Sequence, residues 1–223
     1  MILKREGDFV IIFTDGTFNM SWRTGHGWEQ GWSVLKESAG FNRLDVAYLT
    51  QVHGATIREV KRPGYQGPGD GMFTKLAGVA LAVFTADCMP LIAYHEQSGY
   101  SFALHCGWRS LAAGILDNLL RIVDDLELNR NALKVFIGPC IRGCCYRVGR
   151  EFMNIFPEDF LRDEEDGLFF DMVELVKNKF SMEGIDRVED TGVCTCCSGD
   201  YFSHRCRGSK ERQVAVVIKE VDF

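Results

Sequence analysis

The chain has 223 residues, 46% hydrophobic and 25% charged, with a formal net charge of -6, the composition of a globular protein long enough to bury a sizeable core. Scattered Lys and Arg on an acidic chain exclude a broad basic face for nucleic acid or anionic lipid. The longest nearly apolar run, Leu76 to Ala86, is too short to cross a membrane as a helix.

Charges at Lys4, Arg5 and Glu6 stand where an export signal carries its apolar region, so the expectation is a cytoplasmic protein. Its nine cysteines are then expected to be thiols, some of them metal-binding, rather than a disulfide framework. Nothing in the sequence points to a protein partner.

In chain order, apolar runs predict strands at Phe9 to Phe13, Val46 to Gln51, Thr56 to Val60, Val79 to Phe84, Leu91 to Tyr94 and Ser101 to Leu104. Three more follow at Lys134 to Ile137, Arg187 to Thr191 and Gln213 to Ile218. Helical periodicity is clearest from Ser110 to Leu126, where Leu111, Ile115, Leu119, Ile122 and Val123 share a face behind an N-cap serine. Further helices are predicted at Glu29 to Ala39, Val148 to Phe156 and Asp171 to Met182, stopped by Gly40, Pro157 and Gly184. Strands precede the first long helix in succession, which disfavours a doubly wound sheet. The predicted class is α+β, with mixed sheets and outer helices in one domain over 1–223.

His53, Cys88 and His105 each sit where a predicted strand gives way to a turn, the place from which a rigid scaffold presents reactive groups. Two imidazoles and a thiolate suit zinc, and three protein ligands leave a position open for catalysis. Singly, each also fits an ordinary reading as a hydrogen-bonded core histidine or a small buried thiol. Asp87, next to Cys88, is a candidate proton relay or a turn cap. Arg109 stands between a strand and the strongest helix, as a candidate phosphate ligand or a surface ion-pair partner.

The segment Cys194 to Cys197 with His204 and Cys206 is a candidate second, structural zinc site, although its spacing matches no paired CxxC pattern. Pro139 to Cys144 comes close to half of a nucleobase-deaminase zinc motif but is one residue too long, and no HxE accompanies it. HExxH, GxSxG, P-loop and GxGxxG patterns are absent.

Taken together, Asn42-Arg43, Gln51-Val52-His53-Gly54, Asp70-Gly71, Thr85 to Pro90, Leu104 to Arg109, Ile137 to Pro139, Cys144 to Gly149, Cys194-Thr195, Phe202 to Arg205 and Arg212-Gln213 resemble the laccase-domain proteins. These are also called the YfiH-like or polyphenol oxidase family, and the resemblance spans nearly the whole chain. It implies zinc at His53, Cys88 and His105, the trio already singled out. It also implies phosphorolysis of adenosine, inosine and methylthioadenosine, together with adenosine deamination.

Within that reading Cys88 and Asp87 are the catalytic candidates, and Arg43, Arg109 and Arg205 the substrate-binding ones. Cys106, Ser110 and His204 depart from the family's usual alanine, glycine and tyrosine. Two other chemistries stay open: copper in the same trio oxidising phenols, and a cysteine hydrolase with Cys88 as nucleophile and His105 as base.

Overall fold

A computed structural model describes residues 1–21, 28–41 and 44–221. The chain opens with strands β1 (Ile2–Glu6) and β2 (Phe9–Phe13), helix α1 (Trp28–Ser38) and strands β3 (Asp45–Thr50), β4 (Ile57–Glu59), β5 (Gly64–Pro68) and β6 (Gly71–Thr74). Three long strands follow, β7 (Val79–Thr85), β8 (Met89–His95) and β9 (Tyr100–Cys106), then helices α2 (Trp108–Ala112) and α3 (Ile115–Asp125). Strands β10 (Leu133–Ile137), β11 (Arg147–Val148), β12 (Leu161–Glu164) and β13 (Gly167–Phe170) lead to helix α4 (Met172–Met182), strand β14 (Val188–Asp190), helix α5 (His204–Arg207) and strand β15 (Gln213–Lys219).

Two six-stranded mixed sheets carry the fold, ordered β1-β2-β15-β7-β3-β5 and β14-β10-β8-β9-β6-β4. Alternate residues of one strand serve different layers. Phe9, Ile11 and Phe13 of β2 meet Ile92, Tyr94 and Phe136 between the sheets, while Val10 and Ile12 face Leu35 and Ala39 beside α1. On the far side of the second sheet, Leu91, Leu104 and Val135 pack against Ile115, Leu119 and Val123 of α3 and Val176 and Phe180 of α4. Burial on both faces is why these strands read as continuous apolar runs rather than as alternation. The α+β class with outer helices is what the sequence predicts.

Three expectations are corrected. The helix predicted over Ser110 to Leu126 is two helices, because Gly114 takes a left-handed φ of 82° between them. Its first turn is capped by the extended Gly107, and Ser110 lies buried inside α2 rather than at the N-cap. Over Val148 to Phe156 no α-helix forms: β11 ends there and a 3₁₀ turn, Arg150–Asn154, follows the extended Gly149. Phe152 and Phe156, whose spacing mimics a helical stripe, are buried by the turn against Phe170. Finally, Cys196 and Cys206 form a disulfide instead of remaining thiols, since α5 brings them within 5.6 Å between Cα atoms.

No described helix is long and apolar enough to cross a membrane.

Candidate metal centre

The site lies where the chain passes from one large sheet to the other. β3 and β7 belong to the first sheet, β8 and β9 to the second. His53 follows β3, Cys88 stands in the turn from β7 to β8, and His105 is near the end of β9. Gln51 locks the first of these turns by pairing with Phe84 as a strand would. Its Nε2 donates to the Phe84 carbonyl at 2.7 Å, and its Oε1 accepts from the Phe84 N–H at 2.8 Å. His53 and Asp87 have φ of 59° and 92°, values that cost a non-glycine residue energy and persist only where the surroundings enforce them.

The ligand atoms of His53, Cys88 and His105 all lie within 4.8 Å of one another. His105 is buried, Cys88 half-buried and His53 exposed. Asp70, fully buried, is the organiser: its Oδ1 accepts from His105 Nδ1 at 2.9 Å and from the His53 N–H at 2.8 Å, and its Oδ2 from the Gly54 N–H at 2.7 Å. With Nδ1 engaged, the other ring nitrogen of His105 is left for the Cys88 side, the outer support that metal-binding histidines ordinarily have. Burial raises the Asp70 carboxyl, but the bonds from His105, Gly54 and His53 outweigh it and hold it below the usual range.

The same arrangement acts on sulfur. Burial opposes ionisation of Cys88, yet attraction to His105 and hydrogen bonds from both histidines bring the thiol down to about 6. Burial likewise disfavours a charged His105, but the Cys88 sulfur and Asp70 raise it to about 9. Both shifts favour a thiolate on Cys88 beside a protonated His105. Metal binding would displace that proton, as deprotonated ligands require. Neighbouring Cys106 is fully buried and pushed far up by burial, so it stays a neutral thiol.

Space is kept for the trio by Gly107. A Cβ there would stand 3.0 Å from Cys88 Sγ and 3.2 Å from a His53 ring carbon. Two cavities meet at this wall. A larger one of about 380 Å³ is lined by all three trio residues, Thr85, Arg109, Lys210 and Arg212. A smaller one of about 190 Å³ is lined by His53, Cys88, Asp87, Trp108, Tyr146 and Arg205.

Of the other sequence candidates, Arg109 lines both cavities, its guanidinium lying over the Trp108 ring at 4.3 Å. Asp87 Oδ1 accepts from Thr195 Oγ1 at 2.7 Å and Oδ2 from the Arg205 N–H at 2.6 Å. Arg205 itself donates to the Arg147 carbonyl and lies over the Tyr146 ring at 5.2 Å. Arg43 lies outside the described residues. Lys210 belongs to none of the sequence motifs, and Gln51, Asp70, Gly107 and Arg212 enter the sequence analysis only as parts of them.

The family described as multi-copper polyphenol oxidoreductase laccase matches residues 17–220. The chain belongs to that family. Among its relatives is a purine nucleoside phosphorylase of Aquifex aeolicus, 33% identical over 150 residues, covering 67% of this chain and 70% of the relative. A purine nucleoside phosphorylase of Pseudomonas aeruginosa is 30% identical over 181 residues, 77% of this chain and 73% of the relative. The crystal structure of YlmD from Geobacillus stearothermophilus superposes with a TM-score of 0.87 at 27% identity, covering 96% of this chain and 93% of that one.

The family's description names copper, but the donor set fits zinc as well: two imidazoles and a thiolate leave one tetrahedral position open. Among the described residues no further histidine joins the trio, whereas a multi-copper oxidase centre needs several more imidazoles.

Proposed function

We propose that this chain is a zinc-dependent purine nucleoside phosphorylase that also deaminates adenosine, with the metal held by His53, Cys88 and His105. The observation that carries the reading is the convergence of that trio on a cavity rimmed by Arg109, Lys210 and Arg212. Cations at the mouth of a metal site suit an anionic co-substrate such as phosphate. The relatives named purine nucleoside phosphorylase support the same substrates.

Zinc, when bound, supplies a Lewis acid that polarises an oxygen or activates water at neutral pH. The chain's own residues do the rest. Arg109, Lys210 and Arg212 hold phosphate, whose oxygen attacks ribose C1′ as the bond to the purine nitrogen breaks. Trp108 and Tyr146 in the smaller cavity offer flat apolar surface to the base. Asp87, held by Thr195 and the Arg205 N–H, takes the proton released by the attacking phosphate or water and passes it to the departing purine, or to the departing ammonia in deamination. Arg205 and Arg43 contact substrate at the rim.

A nucleoside panel incubated with and without phosphate, with products separated by chromatography, tests the reading. Free base and ribose 1-phosphate should appear only when phosphate is present, and inosine should form from adenosine without it. No product from any purine nucleoside would overturn the proposal.

One observation favours a second reading. Asp70, His105 and Cys88 form a chain of hydrogen bonds like that of a cysteine hydrolase. A nucleophilic Cys88 would keep activity in chelator and lose it to alkylation, whereas the zinc enzyme loses activity in chelator. Copper at full occupancy in protein purified without added copper would favour phenol oxidation in the same trio.

A further inference from the structure

A second set of sulfurs gathers away from the trio. Cys144, Cys145, Cys194 and Cys197 have all four Sγ atoms within 4.8 Å of one another. Cys197 Sγ stands 3.6 Å from Cys144 Sγ and 2.9 Å from Cys145 Sγ. A tetrahedral ion with metal–sulfur bonds near 2.3 Å separates its sulfurs by about 3.8 Å. The observed separations bracket that value.

The backbone has already arranged these thiols. Cys140 and Cys194 form a parallel bridge between the two segments. The Thr195 N–H donates to the Cys140 carbonyl at 3.0 Å, and Arg142 Nε to the Val193 carbonyl at 3.2 Å. Within the first segment the Cys145 and Tyr146 N–H groups both donate to the Arg142 carbonyl at 2.8 Å. In the second, two residues separate Cys194 from Cys197 across a tight turn closed by Ser198 N–H to the Cys194 carbonyl at 3.1 Å.

We infer that Cys144, Cys145, Cys194 and Cys197 form a closed, four-thiolate structural zinc site that ties the 140–146 segment to the 193–198 segment. Four soft donors select zinc over hard cations, and a complete sulfur shell leaves no open position for chemistry. A dithiol switch needs only two sulfurs, and here four converge. Thr195, one residue from a ligand, holds Asp87, and Tyr146, one residue from another, lines the smaller cavity of the trio. Zinc in the Cys₄ site therefore braces the wall of the first site without touching substrate. The inference stands apart from the proposed activity.

The test uses the full chain, purified anaerobically under reducing conditions from zinc-supplemented cells, with metal measured by plasma mass spectrometry. Wild type should hold two zinc ions per chain. Cys88→Ala, which disables the trio, should hold one, and cobalt in its place should give the intense visible bands of a tetrahedral tetrathiolate. Adding Cys144→Ser and Cys197→Ser to Cys88→Ala should bring zinc to none. If that triple variant fails to fold, the single Cys88→Ala variant decides. Its four cluster thiols should be shielded from alkylation until zinc is stripped. Cys88→Ala protein without metal and with all four thiols freely alkylated would overturn the inference. So would peptide mapping that finds Cys145 disulfide-linked to Cys197 in the metal-free protein.

Discussion

Asp70→Asn is the sharpest perturbation of the trio that leaves every ligand in place. The carboxylate serves two groups of donors, His105 Nδ1 and the His53 N–H on Oδ1, and the Gly54 and Val52 N–H groups on Oδ2. An amide keeps one oxygen and turns an NH₂ toward the other group. If the oxygen takes the Oδ1 place, the 2.7 Å bond from Gly54 is lost and two donors face each other in a fully buried site. One charge-assisted hydrogen bond is worth roughly 1.5–3 kcal/mol. Changing such an outer partner of a metal-binding histidine typically costs about 10- to 100-fold in metal affinity. Zinc affinity measured by chelator competition should fall in that range, with a lower urea midpoint. Affinity within about twofold of wild type, with the midpoint unchanged, would refute the idea that Asp70 sets the His53 turn and the His105 tautomer.

Cys88→Ser or His105→Ala should abolish zinc at the trio and turnover together, and full trio occupancy in either variant would disprove the ligand assignment. Gly107→Ala should weaken zinc binding while leaving folding nearly intact, because its φ of -82° is ordinary and the new methyl presses only on Cys88 and His53; metal titration beside a melting curve reads both. Arg109→Ala should raise the apparent KM for phosphate by about 10- to 100-fold, the loss of one charge-assisted bond. Deamination should change far less, and equal losses in both activities would exclude the phosphate role. Asp190 is opposed by burial, but Arg142, Lys177 and the Gly192 N–H lower it from 3.8 to about 2. Its stabilisation, roughly 2 kcal/mol, is therefore present above pH 3.8 and lost as pH falls through about 2. Asp190→Asn should be less stable than wild type at neutral pH, and the gap should close on acidification in urea melts.

The strands legible in the sequence are those buried on both faces, such as β7, β8 and β15, whose apolar runs need no partner to be recognised. β5, with the sequence Gly64-Tyr65-Gln66-Gly67-Pro68, reads as turn chemistry. It is a strand only because β3 supplies a parallel neighbour. Long-range pairing overrode local preference there. The trio was visible because each member ends a strong strand. Asp70 was not, because its partner His105 lies 35 residues away and an Asp-Gly pair reads as a turn. The tail cysteines were read as one local group with His204, whereas the fold joins Cys194 and Cys197 to Cys144 and Cys145 and gives Cys196 and Cys206 to each other. Spacing along the chain carries no information about a partner some 50 residues upstream.

His53 follows β3 of the first sheet, Cys88 sits in the turn between the sheets and His105 lies in β9 of the second, so an ion held by all three would cross-brace the two halves of the molecule as well as act as a reagent. Anything that binds only the folded state adds to its stability, about 2.7 kcal/mol at a concentration one hundred times the dissociation constant. Metal supply and protein lifetime are thereby joined. If the trio holds an ion, chain expressed in metal-depleted cells should be cleaved faster by added protease than chain expressed with metal.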